Sequence, residues 1–181
     1  MTLETAKDLL NANNIPFEIC YYRDEADFYR HICLFPSLKN AKSCKVTVMV
    51  IHSKNGHKDI ELQFNETKDG NVFAELYFGG FSYELFGVRE DYLSDEIIRE
   101  IDDIREGRVS VIEVNDLKKC RWIGDSRFDR NDMDDPMFGE SGFEKAMRKV
   151  QKPLSFFKKL FHAKIQYEVY DFERYQCIIK G

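Results

Sequence analysis

Two short turns in the first half of the chain restrict the fold more than any other feature. Asn55-Gly56 is the preferred pair for a two-residue type I′ hairpin turn, so residues 46–52 and 57–64 are expected to pair with Met49 opposite Leu62 and Ile51 opposite Ile60. Lys68-Asp69-Gly70 suits a three-residue turn with glycine in the left-handed position, which sets Phe64 opposite Ala74, Leu62 opposite Leu76 and Ile60 opposite Phe78. A two-residue turn faces Phe64 with Glu75 instead, so burial selects the longer one. Gly79-Gly80 then bends the chain into a further strand, 81–86. Glu61 falls on the face opposite Ile60, where its replacement is expected to be mild unless a helix covers that face.

Around this meander the periodicity alternates between strand and helix. Thr2 caps a first helix with Leu3, Ala6 and Leu10 on one stripe, ending at Asn13-Asn14. Segments 17–23 and 28–35 alternate, and reading Asp24 to Asp27 as a four-residue loop makes them a hairpin with Phe17, Ile19, Tyr21, Ile32 and Leu34 inward. Ser94 opens a second helix carrying Ile97, Ile98, Ile101 and Ile104, with Gly107 past its end. Two strands, 108–114 and 118–124, precede an irregular acidic loop, 125–140. Ser141-Gly142-Phe143-Glu144 is a capping box for a third helix with Phe143, Met147 and Val150, stopped by Pro153. A short helical piece, 154–162, and strands 165–170 and 175–180 complete a C-terminal helix–hairpin unit, 141–181. The expectation is a single compact α+β domain, 1–181: a largely antiparallel meander sheet with about three helices packed on it.

Composition bounds the function. The 181 residues carry 27 bases against 32 acids, a formal charge of −5, which argues against a general nucleic-acid binder. No apolar run approaches the length of a membrane span, and the amino terminus lacks the basic start and apolar stretch of a signal peptide. The five cysteines are odd in number and form no CxxC pair, so a reducing cytoplasm with free thiols is expected. Nucleotide-binding, zinc-protease, kinase and nucleophile-elbow motifs are absent, and no cofactor is implied.

Four constellations can carry chemistry. In the 17–35 hairpin, Cys20 faces His31 and Glu18 faces Cys33, a set that suits zinc or a thiol–imidazole pair, although packing on a sheet's second face is the simpler reading. His52 and His57 flank the Asn55-Gly56 turn with Asp59 opposite His52, which reads as a solvated turn. Asp129, Asp132, Asp134 and Asp135 make the acidic loop a contact for a basic partner. Residues 145–167 hold seven bases and no acid, leaving −12 on the remainder; Lys145, Arg148, Lys149 and Lys152 share a helix face beside Phe156, Phe157 and Phe161, either an anion patch or a solvated helix face. These features lead to a cytosolic, non-enzymatic protein-interaction domain of the inhibitor or immunity type, using acids around an aromatic anchor to bind a basic partner. The alternatives are an enzyme or small-ligand binder with a pocket between the sheet and the third helix, and a basic-patch binder of nucleic acid or anionic lipid.

Overall fold

The computed structural model describes residues 2–66, 72–86, 90–129, 148 and 164–180. Along them the chain forms α1 (Leu3–Ala12), β1 (Glu18–Tyr22), α2 (Glu25–Ile32), β2 (Val46–Ile51), β3 (Ile60–Glu66), β4 (Val72–Phe78), β5 (Phe81–Phe86), α3 (Glu90–Arg105), β6 (Val109–Asp116), β7 (Arg121–Asp129), β8 (Ile165–Tyr170) and β9 (Tyr175–Lys180). The architecture is α+β with antiparallel pairing throughout these strands, divided into two sheets of order β1-β2-β3-β4-β5 and β7-β6-β8-β9. No helix among the described residues is long and apolar enough to cross a membrane.

The register that the turns imply is the register of the first sheet. Met49 pairs with Leu62, Ile51 with Ile60, Leu62 with Leu76 and Ile60 with Phe78. Gly79, at φ +60°, and Gly80 turn β4 directly into β5, with Phe78 opposite Phe81. The β2–β3 connection is wider than a two-residue turn, because β2 stops at Ile51 and β3 begins at Ile60. Asn55 organises it: its side-chain oxygen accepts from the backbone N–H groups of His57 and Lys58 and from the Ser53 hydroxyl.

One expected hairpin is not formed. Residues 28–35 do not pair with 17–23; instead β1 pairs with β2, and Glu25–Ile32 is helical. Local capping decides this. The Asp24 carboxylate accepts from Asp27 N–H at 2.8 Å, Glu25 and Asp27 sit in the first turn, and Arg30 and His31 sit in the last. Phe28 and Ile32, four apart, then bury one helical stripe against Val46, Val48, Val50 and Tyr77. The alternation of 28–35 is a by-product of that stripe.

The first sheet is thus covered on both faces. On one side Met49, Ile60, Leu62, Leu76 and Phe78 pack with Ala6 and Leu10 of α1 and with Leu93, Ile97, Ile101 and Ile104 of α3. Val109, Val111, Tyr170 and Phe172 of the second sheet join the same cluster, so the two sheets share a core. On the other side lies α2. Asn55 fastens the arrangement, since its backbone N–H donates to Phe172 O at 3.0 Å and its amide to Asp171 O.

Candidate functional site

The second sheet carries an unusual row. All eight residues of β6 are buried, yet Glu113 sits in its middle, fully buried, between Asp125 on β7 and Glu168 on β8. Adjacent like charges on neighbouring strands repel, so the row requires a cation. Lys58 supplies it from the β2–β3 connection, its Nζ 2.8 Å from Glu168 Oε2 and 3.4 Å from Glu113 Oε2. Burial lowers the Lys58 pKa, but Glu113 and Glu168 outweigh that and the net shift is upward, so the ammonium stays charged. Asn115 donates to Glu113 Oε1 at 3.3 Å, and the Tyr170 hydroxyl donates to Phe78 O at 3.0 Å. The Gly79-Gly80 turn makes room for this cluster. A Cβ on Gly80 falls 2.6 Å from Glu113 Oε2, and one on Gly79 falls 2.5 Å from the Tyr170 hydroxyl.

A cleft opens over this row, where α2 ends against both sheets, and it has two compartments that share Ile32 and Cys33. The larger, about 470 Å³, is polar, with His31, His57, Lys58, Glu61 and Tyr175 in its wall. Glu61 lies between Val50 and Tyr77 in the first sheet and is 3% exposed, because α2 covers the face that sequence alone left open. Its Oε1 is 3.2 Å from His31 Nε2, while its Oε2 is buried without a hydrogen-bond partner. Burial, with Asp59 adding to it and His52 opposing, raises the Glu61 pKa to about 8, so this side chain holds a proton at neutral pH. Burial likewise, with Glu113 adding to it, pushes the Cys33 thiol up to about 12. Cys33 is therefore a protonated thiol, poorly suited to nucleophilic attack.

The smaller compartment, about 220 Å³, is aromatic. Tyr29, Phe35, Tyr77 and Trp122 line it together with Asp125. A bulge in β7 aims the tryptophan: Gly124 pairs with Val114 and Trp122 with Asn115, leaving Ile123 as the extra residue. Trp122 and Asp125 thereby share one face, which strict alternation from Asp125 denies them.

Of the residues singled out by sequence, Cys20 pairs with Val48 rather than His31, and Glu18 with Val50 rather than Cys33. Cys20 and Cys33 both pack against the cluster under α2, His31 meets Glu61, and Glu18 reaches His52 at 3.4 Å. No group of three or more His, Cys, Asp or Glu side chains with metal-holding geometry occurs among the described residues. The His52–Asp59 opposition is present, Nδ1 to Oδ2 2.9 Å, and the Asp59 partner raises the histidine pKa. Asp129 is exposed at the end of β7 beside Arg127, and Arg148 is exposed; Asp132, Asp134, Asp135, Lys145, Lys149 and Lys152 lie outside the described residues. Sequence reasoning missed Lys58, Glu61, Glu113, Trp122 and Glu168 as a group. A signal for one of them was legible, a glutamate inside the apolar run Val111-Ile112-Glu113-Val114. Comparison of the chain with protein-family models, with curated proteins and with solved structures returned no match.

Proposed function

We propose that this chain is a non-enzymatic binding domain that holds a positively charged partner protein at the cleft between its sheets. The observation that carries the reading is the row Asp125, Glu113 and Glu168, three carboxylates on adjacent strands, of which Asp125 lines the aromatic compartment and Glu168 the polar one. The net charge of −5 adds long-range attraction for a basic surface, and exposed Trp122 supplies an aromatic anchor of the kind that dominates interface energetics. The contact is then centred on β7, with Asp129 at its margin. A cytoplasmic setting belongs to this reading, supported by five cysteines of which none is in a disulfide.

The test is affinity capture from native extract with wild-type protein and with Trp122→Ala and Asp125→Asn variants. The expected result is one stoichiometric basic partner, released by moderate salt and lost from both variants. Capture that is indifferent to both substitutions, or no stoichiometric partner, overturns the reading. A second reading, acid–base chemistry in the polar compartment, is favoured by one observation, a buried carboxyl 3.2 Å from His31 whose pKa is raised to about 8. Turnover of a hydrolysable ester or amide panel, abolished in Glu61→Gln, is the result that establishes it in place of the first.

A further inference from the structure

Within the binding reading just given, on which this inference rests, we propose that the aromatic compartment is the receptacle for a single cationic side chain, lysine or arginine, of the basic partner. Size selects a side chain over a free ligand. At about 220 Å³ the compartment lies below the roughly 300 Å³ at which sites for drug-sized molecules begin, and it opens on the protein surface beside exposed Trp122. Chemistry selects a cation. Ring faces of tyrosine, phenylalanine and tryptophan attract an ammonium or guanidinium group through their quadrupoles, and four aromatic residues, Tyr29, Phe35, Tyr77 and Trp122, line this one opening.

Charge selects the same occupant. Asp125 borders this compartment and is the outer member of the carboxylate row, whose other two members are the ones that Lys58 bonds. The β7 bulge is what brings Trp122 and Asp125 to one side, and bulges commonly re-aim a side chain beside a functional site. The methylene stem of a lysine or arginine packs against Phe35 and Pro36 while its charged end reaches the carboxylate.

Trp122 is the chain's one tryptophan, so its fluorescence reads the compartment directly. The full chain is titrated at low ionic strength with the peptides Gly-Gly-Lys-Gly-Gly and Gly-Gly-Arg-Gly-Gly, with the norleucine peptide as neutral isostere, and with choline as a free cation. The expected result is a saturable change with the lysine or arginine peptide, binding about tenfold weaker for norleucine, and an affinity reduced about tenfold in Asp125→Asn. Equal binding of the norleucine peptide, or no saturable change with any peptide, overturns the proposal on wild-type protein alone, whatever the variant does. Choline binding more tightly than both cationic peptides overturns the side-chain assignment in favour of a small free cation. If the captured partner is lost from Trp122→Ala while the peptides show no preference for charge, the cleft stands as the binding surface and the cation receptacle falls.

Discussion

Glu61 is a carboxyl group in a place where the sheet pattern provides for an apolar or solvated residue, and its proton is the consequence. In the unfolded chain it titrates at its ordinary 4.5, whereas in the fold it titrates at about 8. Between those values the native state binds the extra proton. The contribution of this group to stability is therefore fully present below about pH 4.5 and is lost as pH rises through 8, with a slope of at most about 1.4 kcal/mol per pH unit. A Glu61→Gln variant keeps the hydrogen-bonding shape and cannot titrate. Urea unfolding at pH 5, 7 and 9 is expected to show a flatter profile for the variant and a crossover that leaves it the more stable protein at pH 9; parallel profiles dispose of the assignment. The unpaired Oε2 marks the same side chain as the group that an incoming donor meets in the polar compartment.

At the scale of elements, the contact that matters most joins a loop of one sheet to the middle of the other. Lys58 is held by Glu113 and Glu168, fifty-five and more residues away in sequence, with both carboxylates buried. Removing the ammonium in Lys58→Ala strands two adjacent charges and is expected to cost about 3–5 kcal/mol. Glu113→Gln in the same background restores part of that loss, and chemical denaturation of the single and double variants measures it; additive losses remove Lys58 from its bridging role. Sequence reading reached the elements where the signal is local. The register of β2, β3 and β4 is the one expected from Asn55-Gly56 and from Lys68-Asp69-Gly70, the latter lying outside the described residues, and Thr2 and Gly107 mark helix ends where helices end. It failed at α2, where Asp24, Phe28 and Ile32 support a capped helix and an alternating strand equally well until Val46, Val48 and Val50 present a surface that only a helix covers here. Lys58 gave no local sign because its partners come from strands whose neighbours are set by tertiary structure.

For the whole molecule, the division of the strands into two sheets was beyond reach of periodicity, which tells which side chains share a face and not which strands adjoin. The shared cluster makes the division thermodynamically silent. Val109, Val111, Tyr170 and Phe172 are buried with Met49, Ile60 and Leu76, so unfolding either sheet exposes the cluster that both share. Trp122 stands on β7 of the second sheet and reports on its own surroundings there, while far-ultraviolet circular dichroism reports on all the strands. The two denaturation curves are expected to coincide within error. A tryptophan transition at lower denaturant than the dichroism transition divides the chain into two folding units and removes the shared core from the account.

The Asn55-Gly56 pair also sets a clock. An asparagine followed by glycine is the dipeptide most open to loss of its side-chain amide, because the unhindered glycine nitrogen attacks the side-chain carbonyl to form a cyclic imide. In the native molecule that amide is tied to the β8–β9 turn and the attacking Gly56 N–H donates to Ser53 O, so ring closure requires both hydrogen bonds to break. Chemical ageing at this position therefore accumulates in proportion to time spent unfolded. Each conversion to aspartate or isoaspartate also removes the amide that fastens the first sheet to the second, so aged molecules open more often and age faster.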